Sequence, residues 1–90
     1  MWVYILTNHT NSVLYIGVTN DIMRRTEEHQ KMYVDGFAEK YHAYKLVYVE
    51  ETQSATEAIA REKQLKGWTR AKKIALIEQL NPNWDNLLKE

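Results

Sequence analysis

The sequence predicts a mixed α/β domain of the α+β type, with elements in the order ββαβαα. Three observations carry that reading. Two runs rich in β-branched and aromatic residues, 2-WVYILTN-8 and 13-VLYIGVT-19, are separated by a short polar stretch. A third such run follows at 44-YKLVYVEE-51. Helix-capping residues stand ahead of the segments between and after these runs.

The first run alternates, as a half-buried strand does, and 9-HTNS-12 is a turn, so the first two strands pair as an antiparallel hairpin. On this pairing Tyr4 and Tyr15 fall at the parity of small or polar neighbours, Tyr15 with Gly17 and Thr19. Val3, Ile5, Leu14, Ile16 and Val18 take the opposite faces and are the core candidates. Asn20 or Asp21 caps the first helix, which is expected to run to about Tyr33 and end at Asp35-Gly36. Ser54-Ala55-Thr56-Glu57 has the form of a capping box opening the second helix, and Gly67 closes it. Thr69 caps a third helix running to about Leu80, where Pro82 stops it. With no repeat, low-complexity tract or long linker, residues 1–90 read as one domain.

Composition narrows the class. Ninety residues allow one modest core, and 44% hydrophobic with 27% charged residues is ordinary for a globular chain. The absence of cysteine excludes a disulfide framework and a thiolate metal site, and fits a reducing compartment. The N-terminus lacks the basic region of a signal peptide, and no apolar run is long enough to span a bilayer. The expectation is a cytoplasmic protein with no membrane partner. Net charge is zero, yet 61-REKQLKGWTRAKK-73 holds six basic side chains and one acidic. Such a stripe is either a solvated helix face or a small footprint for phosphates. Lys63, Lys66, Arg70 and Lys73 are its candidate contacts, and Lys40, ahead of the third strand, is another. Trp68 reads as a helix-packing residue, with base stacking as the alternative.

Two polar groups fall on apolar stripes. In the first helix Ile22, Arg25, His29 and Met32 recur at steps of three, four and three, so they share one face. In the second, Glu62 sits among Ala55, Ala58, Ile59 and Leu65. A carboxylate there must be paired, hydrogen-bonded or bound to a cation. One explanation is an Arg25–Glu62 salt bridge holding helices to the sheet. The other is a site, because two tyrosines, an arginine, a histidine and a glutamate from four elements could meet on one side of one sheet.

These residues, in this order, resemble the GIY-YIG nuclease superfamily, and more closely its small stand-alone bacterial members related to the excinuclease nuclease domain. The first motif falls on Trp2-Val3-Tyr4, with the tyrosine kept and the glycine and isoleucine replaced; the second is intact as Tyr15-Ile16-Gly17. The family arginine, eight positions after that glycine, is Arg25, and its histidine is His29. The family glutamate, in a helix reading E-A-x-x-x-E, matches Glu62 in 57-EAIARE-62. The tail 80-LNPNWDNL-87 is similar to the N-P-x-W endings of the small members, and Asn81 is the candidate for the family's late asparagine, a substrate contact.

The resemblance implies a small three-stranded antiparallel sheet flanked by helices. It also implies an endonuclease that hydrolyses DNA, with RNA as the other candidate substrate, in a DNA-repair setting. Catalysis would use one Mg²⁺ or Mn²⁺ held by Glu62. Arg25 offers a permanently charged fork for a phosphate oxygen. A single carboxylate with waters and substrate oxygens suits Mg²⁺. An unperturbed phenol, with a pKa near ~10, is a poor base, but an adjacent arginine and metal favour its phenolate. Tyr4 in the first place, or Tyr15, would then take a proton from the attacking water, with His29 positioning or relaying it. The competing reading is a non-catalytic nucleic-acid-binding module of the same fold.

Overall fold

A computed structural model describes residues 1–24, 43 and 45–87. Its three strands, β1 (Trp2–Thr7), β2 (Leu14–Thr19) and β3 (Lys45–Glu51), form one antiparallel sheet in the spatial order β2-β1-β3. Helices α1 (Ala55–Lys66) and α2 (Arg70–Leu80) follow. Residues 22–24 are helical, where the first helix was expected to begin; its continuation to Tyr33 and its stop at Asp35-Gly36 lie outside the described residues. Among the described residues, no helix is long and apolar enough to cross a membrane.

Side chains of the polar turn close the hairpin. Asn8 Oδ1 accepts from the backbone N–H groups of Ser12 at 2.9 Å and Val13 at 3.3 Å. Thr7 Oγ1 donates to Val13 O at 2.6 Å. Asn11 takes φ 58°, the left-handed region that asparagine tolerates better than most residues. Both helices begin as their caps predict. Ser54 Oγ accepts from Glu57 N–H at 3.2 Å while Glu57 Oε1 accepts from Gln53 N–H at 3.0 Å, and Thr69 Oγ1 accepts from Lys72 N–H at 3.2 Å.

The register places Tyr4 opposite Gly17 and Val49, and Leu6 opposite Tyr15 and Leu46. Because side chains alternate across a pleated strand, the sheet has two different faces. Val3, Ile5, Ile16, Val47 and Tyr48 form the larger core with Ala58 and Leu65 of α1 and Ile77 of α2. On the other face Tyr4, Leu6, Ala43 and Leu46 form a second cluster, with Tyr15 and Ile22 packed against it. The expected core parity is therefore one of two. The α1 stripe also differs from expectation, since Ile59 is 44% exposed. Of that stripe Ala58 and Leu65 are buried as expected while Ala55 is also exposed, and Arg61 and Glu62 flank the line between the buried pair.

A register shift lets Ile5 oppose Tyr48 and Leu6 oppose Leu46, so Val47 is an extra residue in β3. Asn81 answers its carbonyl. The Asn81 side chain, on a residue only 6% exposed, donates to Val47 O at 3.1 Å and Asp85 O at 2.8 Å, and accepts from Asp85 N–H at 3.0 Å. The Asn81 amide thus ties the end of α2 and the tail to the bulge, a structural role beside the substrate contact expected of it. Asn81→Ala is expected to lower stability by about 1–3 kcal/mol, because it leaves buried backbone groups without partners. The check is a urea midpoint that falls at unchanged m-value. A midpoint equal to that of the parent would show that the fold does not depend on this amide.

Candidate active site

The two motif tyrosines meet on one face of the hairpin. Because Tyr15 opposes Leu6, two residues along from Tyr4, the rings are diagonal neighbours, with centroids 6.3 Å apart and planes inclined by 35°. Tyr4 is 1% exposed, whereas Tyr15 is partly accessible. Gly17 makes the burial possible. A Cβ at that position would stand 2.6 Å from Tyr4 Oη and 2.7 Å from Cζ, closer than side-chain carbons approach. The glycine of Tyr15-Ile16-Gly17 is thus the space into which the Tyr4 phenol lies.

A cleft of about 230 Å³ opens at the β2 edge, lined by Leu14, Tyr15 and Ile16 of β2, Lys66 of α1 and Lys73 of α2. Leu14 and Ile16 belong to one face of the strand and Tyr15 to the other, so the cleft wraps the edge. Lys66 Nζ lies 3.3 Å from Glu62 Oε2, one helical turn back, with side-chain exposures of 56% and 19%. An exposed pair at this spacing contributes only about 0.3–0.5 kcal/mol. The arrangement departs from a site on one side of one sheet: the tyrosines occupy one face, the helix carrying Glu62 packs on the other, and β2 is where they approach.

The opposite flank of α1 is structural. Arg61 Nε donates to Glu50 Oε1 at 3.0 Å and Arg61 Nη2 to Glu50 Oε2 at 3.3 Å, while Tyr48 Oη donates to Glu50 Oε2 at 2.8 Å. Burial, followed by the hydrogen bond to Glu50 and its negative charge, pushes the Tyr48 phenol up to about 12, against the opposing pull of Arg61. Trp68 packs against the larger core with Arg61 Cζ 5.3 Å and Lys72 Nζ 4.9 Å from its ring centroid, as a helix-packing residue would.

The contacts run in a row: Tyr4 meets Tyr15, Tyr15 shares the cleft with Lys66 and Lys73, and Lys66 reaches Glu62, which is not itself among the residues lining the cleft. Lys63 is exposed on α1. Arg70 is spent in part on the fold, its Nη2 donating to Asn11 O at 3.0 Å. Arg25, His29 and Lys40 lie outside the described residues, and so does an Arg25–Glu62 bridge. Among the described residues, no three His, Cys, Asp or Glu side chains gather as a metal cluster. The Glu62–Lys66 pair was readable as an i, i+4 spacing. Within the Glu50–Arg61–Tyr48 network, Tyr48 and Glu50 are two residues apart on β3, but Arg61 joins them from α1, a pairing that carried no sequence signal.

The pattern of the GIY-YIG catalytic domain matches residues 1–75. Two UPF0213 proteins of Staphylococcus aureus, from strains Mu3 and N315, are each 33% identical over 78 residues, covering 87% of this chain and 94% of theirs. The solution structure of the UPF0213 protein BH0048 from Bacillus halodurans superposes with a TM-score of 0.60 at 28% identity, covering 98% of this chain and 93% of that one.

Gly17→Ala is expected to destabilise by about 1–3 kcal/mol through overpacking against the Tyr4 ring, read as a lower denaturant midpoint. A wild-type midpoint would show that the phenol does not depend on that space. A second expectation concerns alkaline pH. The folded state favours the neutral Tyr48 phenol, so this contribution is intact below the ordinary value of 10.0 and is lost as pH rises through about 12. Absorbance titration of tyrosinate should contain a component near 12 that vanishes in Tyr48→Phe.

Proposed function

This chain belongs to the GIY-YIG family of nuclease domains, and on that premise we propose that it is a DNA endonuclease dependent on one divalent ion, Mg²⁺ or Mn²⁺, held by Glu62. The observation that carries the reading is the row at the β2 edge. Tyr4 lies against Tyr15, Tyr15 lines a cleft with Lys66 and Lys73, and Lys66 is paired with Glu62. Glu62 fits the ion: it is a hard oxygen donor, 19% exposed, bonded to a weakly held ammonium. When bound, the ion supplies positive charge to the phosphate and acidifies water.

The residues of the chain divide the remaining work. Tyr15, partly accessible in the cleft, is placed to hydrogen-bond the attacking water and take its proton. Tyr4, buried behind it, orients that ring and closes the floor of the site. The greater accessibility of Tyr15 supports it as the base here, ahead of Tyr4, which the sequence ranked first. Arg25 and His29 keep the roles the family gives them, a fork on a non-bridging oxygen and a positioner of water. Lys63, Lys66, Arg70 and Lys73, with Lys40, hold phosphates along the substrate backbone. Such contacts set its position without reading bases.

The test is a panel of branched, flapped, nicked, single-stranded and duplex DNA, with RNA counterparts, incubated with Mg²⁺ or Mn²⁺. Cleavage should disappear with EDTA and in Glu62→Gln and Arg25→Ala, all variants keeping the wild-type circular dichroism spectrum. Tyr15→Phe should lose about 10²–10⁴-fold in rate, the usual weight of a general base, and Tyr4→Phe less. Retention of nucleic acid without cleavage under any metal would replace the nuclease by a binding module.

A further inference from the structure

Lys66 holds two positions in the site at once. Its ammonium contacts Glu62 Oε2 at 3.3 Å, and its side chain lines the cleft shared by Tyr15 and Lys73. We propose that Lys66 is an exchangeable partner of Glu62: it keeps the carboxylate occupied in the absence of a divalent ion and, once released, turns into the Tyr15–Lys73 cleft to take a phosphate oxygen of the substrate. This rests on the reading that Glu62 holds the ion.

Charge forces the exchange. An ammonium and a divalent cation repel each other at a shared carboxylate oxygen, so Lys66 must withdraw when the ion is bound. Its pair with Glu62 is weak enough to allow that, having one contact and an ammonium that is 56% exposed. The neighbouring pair shows the opposite design. Arg61 grips both oxygens of Glu50 at 3.0 and 3.3 Å, with side chains only 25% and 28% exposed and Tyr48 bonded to the same carboxylate. A planar guanidinium fork suits a fixed pair, whereas an ammonium on a flexible stem suits one that changes partners. Released, Lys66 meets a cleft that already presents Tyr15 and Lys73. Ion and substrate then strengthen each other's binding, a coupling that is reciprocal by linkage.

Two measurements on the full chain test this. Water-proton relaxation follows Mn²⁺ binding to the wild type, Lys66→Met, Lys63→Met and Glu62→Gln. Lys66→Met should bind Mn²⁺ several-fold more tightly than the wild type, Lys63→Met close to it, and Glu62→Gln should lose the site. Filter retention of a DNA duplex is then compared in EDTA and in Ca²⁺. The wild type should gain affinity in Ca²⁺, with a salt slope steeper by about 0.9 for one added phosphate contact, and Lys66→Met should lose that gain. Mn²⁺ binding that depends on Glu62 but is equal in the wild type and Lys66→Met overturns the exchange alone. Equal tightening in Lys63→Met also overturns it, because general charge then explains the effect. A Lys66→Met defect of the same size in EDTA and Ca²⁺ makes Lys66 an ordinary phosphate contact. Mn²⁺ binding untouched by Glu62→Gln overturns the metal reading and the exchange together.

Discussion

The close approach of the Tyr4 ring to the backbone of Gly17 is the constraint on which the site depends. Pairing of β1 with β2 puts the two residues opposite each other, and the missing Cβ leaves room for a phenol that is 1% exposed. With Tyr4 seated there, Tyr15 becomes its diagonal neighbour and is held at the strand edge. A one-residue slip of β2 against β1 would send Tyr15 to the opposite face, the side of α1 and α2, and part it from Tyr4. The hairpin register is therefore as much a part of the site as the side chains. It is secured locally by Asn8, Thr7 and the left-handed turn at Asn11.

Helix α1 separates structure from chemistry by rotation about its own axis. Its buried line, Ala58 and Leu65, sits on the sheet between two adjacent charged residues. Consecutive positions on a helix differ by about 100°, so Arg61 and Glu62 diverge to opposite flanks. Arg61 reaches Glu50 of β3 and locks α1 to the far edge of the sheet. Glu62 pairs instead with Lys66, which lines the cleft at β2. Of two charges that a helical wheel places side by side, one is committed to the fold and the other stands beside the cleft.

Local signals were readable in the sequence where local physics decides. Runs of β-branched and aromatic residues marked all three strands to within a residue or two, and Ser54 and Thr69 cap α1 and α2 as read. What escaped depends on partners distant in the chain. Parity divides a strand into two faces but does not say whether both are covered, so Tyr4 was set apart from the core that in fact surrounds it. The Val47 bulge has no signature in the sequence, and with it the bond from the Asn81 amide to the Val47 carbonyl went unread. Ile59 falls within the apolar period of α1, yet packing along Ala58 and Leu65 leaves it 44% exposed. Arg25, His29 and Lys40 lie outside the described residues, so their part in the site rests on sequence alone.

Placement at a strand edge also reconciles a neutral chain with a polyanionic substrate. A site on the open face of a sheet is approached from one side, whereas the β2 edge joins the tyrosine face to the helix face through one cleft. Net charge is zero, but residues 61–73 carry six basic side chains against one acidic, and two of them, Lys66 and Lys73, line that cleft. Fields of this kind act within about a Debye length, about 8–10 Å at physiological salt. Attraction is then concentrated at the cleft, while the rest of the chain, with six basic against eleven acidic side chains, is net negative and opposes non-specific binding.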